Sequence, residues 1–215
     1  TYQAVFTESS PVSTFNSGNQ ILLNASGSLQ IDSRILTYMD NQWKAENEFS
    51  WSDLTGKTNV TAVYPVYPDL DYVQENLYKN NSLEDILYVK DEFPAGNSIH
   101  LQFKHLFSLL TLHLEGNLQT YFQKIEVTCP AVSSIIPKSA EIVLADNGTH
   151  TTTIAQVSPS GNYSFIAPPV GNMVIAINMV TNGKKYTTQL ETKSFTGNKE
   201  YTYHLKISEK TPGIM

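Results

Sequence analysis

Cysteine and arginine are nearly missing from this sequence, and charged residues of either sign are sparse. The single cysteine, Cys129, has no partner for an intrachain disulfide, and the single arginine is Arg34. Charged residues make up 16% of the chain, below the roughly 25% typical of soluble globular proteins. With a net charge of -6, the chain lacks the clustered lysine and arginine of a nucleic-acid surface. We therefore expect no nucleic-acid partner.

Long apolar runs and the motifs of common enzymes and metal sites are also missing. No run approaches the roughly 18 apolar residues of a membrane span. There is no Cys-x-x-Cys or His-Glu-x-x-His pattern for zinc, no Gly-x-Ser-x-Gly nucleophile turn and no glycine-rich phosphate loop. We expect a non-enzymatic protein without a catalytic residue, a cofactor or a metal.

Serine, threonine, asparagine and tyrosine fill the polar positions instead, as is typical of β-rich extracellular proteins. The 215 residues fit one large β domain or two domains of roughly 100 residues each. The chain begins with threonine and shows no signal peptide, so we interpret it as a mature or trimmed exported form. Cys129 alternates with apolar residues in Ile125–Cys129, which predicts a buried, inert thiol.

The most informative segment spans residues 97–114. Ile99, Leu101 and Phe103 alternate with polar residues, and the leucines of Leu110–Leu114 alternate in the same way. Because successive side chains of a strand point to opposite faces, each half predicts a strand with one face in a core. Between them, at residues 104–109, the apolar residues come in adjacent pairs, which indicates a bend or a single helical turn.

This bend predicts a boundary between two β domains, at residues 1–105 and 106–215. The chain would leave the sheet of the first domain and enter the sheet of the second. At the bend, the ring of His105 can hydrogen-bond to the backbone. We expect Phe103, His105 and Leu109 to hold the two domains at a fixed angle.

Other patterns predict further strands and a single short helix. Strands are expected at Tyr2–Phe6, Gln20–Leu23, Val60–Tyr64 and Tyr201–Ile207. Ser82 can cap a helix over Asn81–Val89, with acidic residues in its first turn.

Two hairpins are also expected, each around residues that tolerate positive φ. The first joins Glu141–Ala145 to Thr149–Ala155 through Asp-Asn-Gly. The second joins Met173–Val180 to Lys185–Leu190 through Asn-Gly. Strands at this short spacing are typical of a β-sandwich.

Several short motifs occur in a fixed order along most of the chain. They are Phe15–Ile21, the tryptophans Trp43 and Trp51, Thr61–Pro65, Asp85–Leu87, Leu101–His105 running into Leu109, and Gly197–Leu205. Together they resemble the fimbrillin-like family, which comprises surface pilus and adhesion proteins of Bacteroidetes. The resemblance spans roughly residues 15 to 207.

The resemblance implies an all-β fold of two tandem transthyretin-like Greek-key β-sandwich domains. It also implies a fimbrial (pilus) subunit, or an accessory or tip adhesin, exported as a lipoprotein to the cell surface and outer membrane. Assembly in this family proceeds by β-strand donation, in which a protease removes an N-terminal strand after an arginine and a neighbouring subunit fills the groove. By position, Tyr2, Ala4 and Phe6 would form the exchanged strand.

Two features depart from the family pattern. Residues 7–17 contain no arginine, so Arg34 is the processing candidate, although cutting there would remove two predicted strands. No long alternating donor strand follows the last predicted strand. Both departures favour a tip, cap or non-polymerising adhesin. The expected partners are other fimbrial subunits or an anchor protein, and a host or microbial surface protein or glycan, with membrane contact only through a lipid anchor not contained in this sequence.

Histidines and tyrosines supply the remaining site candidates. His100, His105 and His113 are interpreted as structural, because zinc needs three or four close ligands. Tyr67 and Tyr72, in a proline-flanked loop, are candidate contacts to a surface ligand. Such aromatic contacts also suit the alternative function, a glycan-binding module of a polysaccharide-capture system.

Overall fold

A computed structural model describes residues 4–8, 15–47, 56–94, 96, 98–116, 122–157, 160–169, 171–181 and 183–207. These residues form β1 (Ala4–Glu8), β2 (Gln20–Gly27), β3 (Ile31–Met39), β4 (Gln42–Ala45), β5 (Thr58–Tyr64), β6 (Tyr78–Lys79), β7 (Ser82–Leu83), β8 (Leu87–Phe93), β9 (Lys104–His105), β10 (Ser108–Gly116), β11 (Phe122–Ile136), β12 (Glu141–Val157), β13 (Gly161–Ala167), β14 (Gly171–Thr181), β15 (Lys184–Ser194) and β16 (Lys199–Ile207). The helical residues among them are α1 (Gln74–Leu77) and a 3-10 turn at Pro68–Leu70. The all-β prediction is confirmed.

The strands form three main sheets and one small hairpin. A six-stranded sheet has the order β4-β3-β2-β5-β8-β9. Two four-stranded sheets have the orders β1-β16-β10-β13 and β12-β11-β14-β15, and β6 pairs with β7. Neighbouring strands run antiparallel except β10 and β16, which are parallel.

Three apolar cores lie between and around these sheets. The sandwich core fills the space between the two four-stranded sheets, with Leu110, Leu112, Tyr201 and Tyr203 on one side and Phe122, Ile125 and Met179 on the other. The outer core covers one face of the six-stranded sheet and contains Ile21, Leu23, Val60, Ala62 and Phe103. The joint core contains Leu22, Val63, Tyr67, Tyr72, Leu77, Leu83, Ile86, Leu106, Phe107, Val132, Ile135 and Ala140.

The six-stranded sheet is buried on both faces at its centre. In β2, Ile21 and Leu23 belong to the outer core, whereas Leu22 between them belongs to the joint core. All three side chains are at most 1% exposed. A strand covered on both faces is expected to be a continuous apolar run rather than an alternating one. The segment Ile21–Leu23 is such a continuous apolar run.

The chain changes sheet at residues 106 and 107. His105 ends β9, which pairs with β8 of the six-stranded sheet, and Ser108 begins β10 of a four-stranded sheet. The two residues between them, Leu106 and Phe107, are buried in the joint core. The break in periodicity therefore marks a real change of sheet.

The strand expected over Ile99–Phe103 does not form. Residues 98–103 lie outside any strand, although Phe103 is buried in the outer core. β8 pairs with this segment only through Lys104 and His105. The alternating pattern predicts which side chains are buried, but it does not predict which backbone groups pair.

The helix expected over Asn81–Val89 is also wrong. The β6–β7 hairpin turns at Asn80 and Asn81, whose φ angles are 51° and 60°, and β8 follows at Leu87. Asparagine tolerates this left-handed conformation, which two-residue hairpin turns require. The two asparagines therefore favour a hairpin turn here, and Ser82 does not cap a helix.

Of the two expected hairpins, only the second is confirmed. β14 and β15 meet at Thr181 and Lys184 around Gly183. The first is wrong, because β12 continues from Glu141 to Val157 along β11. Its Asp-Asn-Gly, with Asn147 at a φ of 53°, makes an outward bulge where the register shifts instead of a reversal.

The predicted first strand exists, but not in the expected sheet. β1 pairs with β16, so it lies in a sheet with strands from residues 106–215. The predicted boundary assigns these residues to the domain of residues 1–105, whereas their backbone pairs with β16. A β-strand of 5 residues can cross to a distant sheet because its pairing depends on backbone groups rather than on sequence proximity.

Gly197 offers a test of how tightly the change of sheet is packed. A Cβ atom at Gly197 would lie 2.4 Å from the backbone oxygen of Leu106. We expect Gly197→Ala to lower the free energy of unfolding by about 1–3 kcal/mol, because rigid backbone would have to move. Thermal and urea unfolding of the purified variant would measure this loss.

The matched control is Gly56→Ala, where the nearest atom to the new Cβ, in Ser28, is 4.0 Å away. The control should unfold like the wild type. Equal stability of the two variants would contradict the close contact between Gly197 and Leu106.

Candidate functional site

The pairing of β1 with β16 places the two ends of the described chain beside each other. The register is antiparallel and runs from Ala4 opposite Tyr203 to Glu8 opposite Lys199. β1 is the edge of its sheet, and β16 is held on its other side by β10. Loss of β1 would leave the edge of β16 with unpaired N–H and C=O groups.

Ala4 and Phe6 of the predicted exchange strand therefore lie in an edge strand, while Tyr2 lies outside the described residues. The register puts positions 4 and 6 opposite Tyr203 and Tyr201. Both tyrosines are 4% exposed and belong to the sandwich core. Any strand that occupied this edge would need apolar side chains at the same alternate positions.

The structure keeps Arg34 away from β1. Arg34 lies within β3, opposite Leu23 of β2, and β4 pairs with a later part of the same strand. Its Nη1 donates a hydrogen bond to the backbone oxygen of Asn47 at 3.0 Å. A protease binds its substrate as an extended, accessible strand, so cleavage at Arg34 would first require β3 to leave the sheet.

Tyr67 and Tyr72 are not surface contacts, and that prediction is wrong. They are 5% and 2% exposed and pack edge to face, with ring centroids 5.0 Å apart. The Tyr67 hydroxyl donates to Oε2 of Glu84 at 2.6 Å, and the Tyr72 hydroxyl donates to the backbone oxygen of Pro65 at 2.7 Å. Prolines around a loop indicate a turn, but they do not distinguish a solvated loop from one folded onto a core.

These tyrosines connect the six-stranded sheet to β11. The backbone oxygen of Tyr72 accepts a hydrogen bond from the N–H of Ile135 at 2.9 Å. The neighbouring Tyr78 hydroxyl accepts one from the N–H of Val132 at 2.9 Å. Residues 65–78 therefore form a strut between the sheets rather than a binding loop.

Within the part of the chain that the structure describes, the glycan-binding alternative has no exposed aromatic platform. Every aromatic side chain whose burial the structure describes is buried or half-buried. A groove of about 670 Å³ does open beside β2, β5 and β8, with Asn24, Asp32, Lys90 and Lys138 in its lining. It holds none of the aromatic rings that stack on sugars.

Hydrogen bonds around Asn198 hold the point where the chain changes sheet. Its side-chain oxygen accepts from the N–H of His105 at 3.1 Å, and its own N–H donates to the backbone oxygen of Phe107 at 3.0 Å. The His105 ring nitrogen Nδ1 lies 2.7 Å from Oδ2 of Asp85. Leu109 is half-buried at the start of β10.

Of the predicted seam residues, Phe103 packs in the outer core, while His105 and Leu109 lie at the change of sheet. Sequence reasoning missed the role of Gly197 and Asn198, which lie about ninety residues away in the chain. A Gly-Asn pair before a strand was the available signal, because both residues suit tight turns.

Cys129 lies in β11 and is 8% exposed, as its alternating pattern predicts. Burial raises the pKa of its thiol to about 11. The reactive thiolate is therefore scarce at neutral pH.

One cluster of side chains has the composition of a metal site. His113 and Glu115 of β10 and His204 of β16 place their ligand atoms within 4.8 Å of one another. Of these three residues, only His113 is a candidate from the sequence, where it is interpreted as structural; no sequence motif points to Glu115 or His204. The parallel register of β10 and β16, which joins them, is invisible in the sequence alone.

Comparison with known proteins identifies one family and several solved structures with a similar fold. A family model described as fimbrillin-like matches residues 7–214. No curated protein sequence matches the chain. Within the described residues, no helix has the length and apolar character needed to cross a membrane.

Solved structures share the fold at low sequence identity. A candidate cell adhesion protein from Bacteroides uniformis has a TM-score of 0.61 and 12% identity, over 97% of this chain and 94% of its own. Another from Bacteroides ovatus has a TM-score of 0.61 and 13% identity, over 89% and 83%. A third, from Bacteroides fragilis, has a TM-score of 0.54 and 11% identity, over 94% and 85%.

The buried tyrosines predict a loss of stability at alkaline pH. Burial raises the pKa of Tyr72 above its ordinary value of 10.0, and burial followed by the hydrogen bond to Glu84 does the same for Tyr67. Above pH 10 the unfolded chain therefore binds fewer protons than the folded chain, so the free energy of unfolding falls as pH rises. Each such tyrosine contributes a slope of up to about 1.4 kcal/mol per pH unit.

Urea unfolding across this pH range would measure the slope for the wild type and for Tyr72→Phe. The variant loses a hydrogen bond at every pH, but its slope above pH 10 should be shallower. Identical slopes would show that the Tyr72 hydroxyl is not buried in the folded chain.

Proposed function

Because the chain belongs to the fimbrillin-like family, we propose that it acts as a non-enzymatic fimbrial subunit or adhesin at the bacterial cell surface. The family match confirms the resemblance drawn from the ordered motifs. Its partners would be other fimbrial subunits. A lipid anchor would attach the assembly to the outer membrane, and a tip or accessory position fits the missing arginine in residues 7–17 better than a shaft position.

The single observation that carries a mechanism is the pairing of β1 with β16. β1 is a short edge strand of 5 residues, so its release would break one ladder and leave the remaining three strands of its sheet paired. The freed edge of β16 could then accept a strand from a neighbouring subunit, which would satisfy the same backbone groups. This is β-strand donation, at the edge beside Tyr201 and Tyr203.

The same pairing supports a proposed division into two domains. We propose a first β domain built around the six-stranded sheet and a second, sandwich domain that includes β1. The two four-stranded sheets enclose one core, as a sandwich requires. The first domain has its own outer core on the far side of its sheet. The transthyretin-like Greek-key topology stays part of the proposal.

A protease-recognition sequence inserted between Glu8 and Phe15 would test strand exchange. After cleavage, β1 is held only by its pairing, so a labelled peptide of residues 1–8 should replace it. Fluorescence anisotropy should rise with the cleaved protein and stay unchanged with the uncleaved protein.

The matched control is the same peptide with Val5→Pro and Phe6→Pro. In an edge strand, every second residue donates its N–H to the neighbouring strand. Proline has no N–H, so two adjacent prolines remove one of these hydrogen bonds in either register, and this peptide should not bind. Unfolding of the cleaved protein, or equal binding of both peptides, would rule out strand exchange at this edge.

Limited trypsin digestion would test Arg34 as the natural processing site. We expect the Arg34–Ile35 bond to stay intact in the folded protein, because both residues pair with β2 and β4 pairs with β3 from Leu36 onward. Mass spectrometry of the urea-unfolded protein provides the positive control for cleavage. Release of an N-terminal fragment ending at Arg34 from the folded chain would restore Arg34 as the processing site.

A further inference from the structure

We propose that His113, Glu115 and His204 bind a divalent transition-metal ion, Zn²⁺ in the first place, on the outer face of the sheet that contains β10 and β16. This metal-binding surface is independent of the strand exchange proposed above. It uses side chains of the sheet face, whereas strand exchange uses backbone groups of the sheet edge.

The register of two parallel strands brings the three side chains together. His113 of β10 lies directly opposite His204 of β16, and Glu115 follows His113 by two residues. The neighbours Leu112 and Leu114 are at most 1% exposed in the sandwich core. Because strand side chains alternate, His113 and Glu115 project from the opposite, solvent-facing side.

The distances match a metal site better than an ordinary ion pair. Oε1 of Glu115 is 3.5 Å from Nε2 of His113 and 3.5 Å from Nδ1 of His204. Charge-assisted hydrogen bonds are shorter, at about 2.7–2.9 Å. Two ligands bound tetrahedrally to Zn²⁺ at about 2.0–2.1 Å lie about 3.4 Å from each other, which is close to both separations. All three ligand atoms already lie within 4.8 Å of one another. To bind one ion, the two histidine nitrogens would therefore need to move only slightly closer together.

Asn162 selects the tautomer of His113 that can bind a metal. Asn162 of β13 lies opposite His113, and its Oδ1 is 2.5 Å from Nδ1 of the ring. An amide oxygen only accepts hydrogen bonds, so Nδ1 carries the proton and donates it. The lone pair is then on Nε2, the atom that faces Glu115. Metal-binding histidines are commonly oriented by such a hydrogen bond to their second nitrogen.

The ligand set determines the class of ion. Two imidazoles and one carboxylate suit Zn²⁺ and its neighbours Cu²⁺ and Ni²⁺, whereas Mg²⁺ and Ca²⁺ prefer oxygen ligands only. Three protein ligands leave one coordination position for water or for a group from another molecule. Lys206 lies opposite Glu115 on the same face and adds a positive charge that opposes the ion.

Isothermal titration calorimetry of the tag-free full chain with Zn²⁺ would test this site. We expect one ion per chain, with at least tenfold weaker binding in His204→Ala and in Glu115→Gln. His100→Ala is the matched control, because His100 is an exposed histidine that does not belong to the cluster, and it should bind like the wild type. Mg²⁺ should give no binding heat.

Two further readouts separate the site from a general effect on folding. Co²⁺ should give a visible absorption spectrum typical of four-coordinate geometry, and the spectrum should be absent in His204→Ala. Asn162→Ala should weaken Zn²⁺ binding by about tenfold or more, because it removes the hydrogen bond that orients His113. Equal Zn²⁺ binding by the wild type and His204→Ala, with both chains folded, would overturn the proposal, as would no binding by the wild type.

Discussion

Burial of the joint core is the interaction on which the rest of the structure depends. Its side chains come from the six-stranded sheet, from the strut that contains Tyr67 and Tyr72, and from β11. Leu106 and Phe107, where the chain changes sheet, are buried members of this core. Truncation of a buried phenylalanine typically costs about 3–5 kcal/mol, which is a large part of the stability of a protein this size. Apolar packing therefore joins the six-stranded sheet to β11, and the hydrogen bonds of Asn198 with the backbone of His105 and Phe107 add direction at the change of sheet.

The joint core also explains why tyrosines from the N-terminal half are buried. A tyrosine brings a large apolar ring and one hydroxyl that needs a partner. In this chain the hydroxyls of Tyr67, Tyr72 and Tyr78 reach Glu84, Pro65 and the N–H of Val132. Only the bond from Tyr72 to Pro65 stays within the strut; the bond of Tyr67 reaches Glu84, beyond the β6–β7 hairpin, and that of Tyr78 crosses to β11. The aromatic residues thus connect the halves of one protein instead of contacting a ligand.

Side-chain periodicity predicted much of the fold, while pairing partners were beyond it. The alternation at Leu110–Leu114 and at Tyr201–Leu205 correctly assigned strands and core faces, because burial follows a period of two. The same period could not show that β1 pairs with β16, since backbone pairing leaves no trace in side-chain identity. Local turn chemistry was ambiguous as well, because Asp-Asn-Gly suits both a hairpin and the bulge that forms at Asn147. The candidate metal site could not be predicted from the sequence for the same reason as the pairing of β1. His113 and His204 come together only through the register of their two strands.

β16 takes part in edge pairing, core packing and the candidate metal site at once. A strand allows this because its backbone edge and its two side-chain faces point in different directions. Its backbone edge pairs with β1, its inward side chains Tyr201 and Tyr203 fill the sandwich core, and its outward side chain His204 joins the histidine cluster. A change at His204 alters none of the backbone groups that β1 uses, and loss of β1 removes none of the three metal ligands. Substitutions can therefore change metal binding without changing strand exchange, and the reverse. Both depend on the inward side chains of β16, which keep the strand in the sandwich core. A subunit that exchanges a terminal strand needs this arrangement, because its sheet must stay folded while one edge is open.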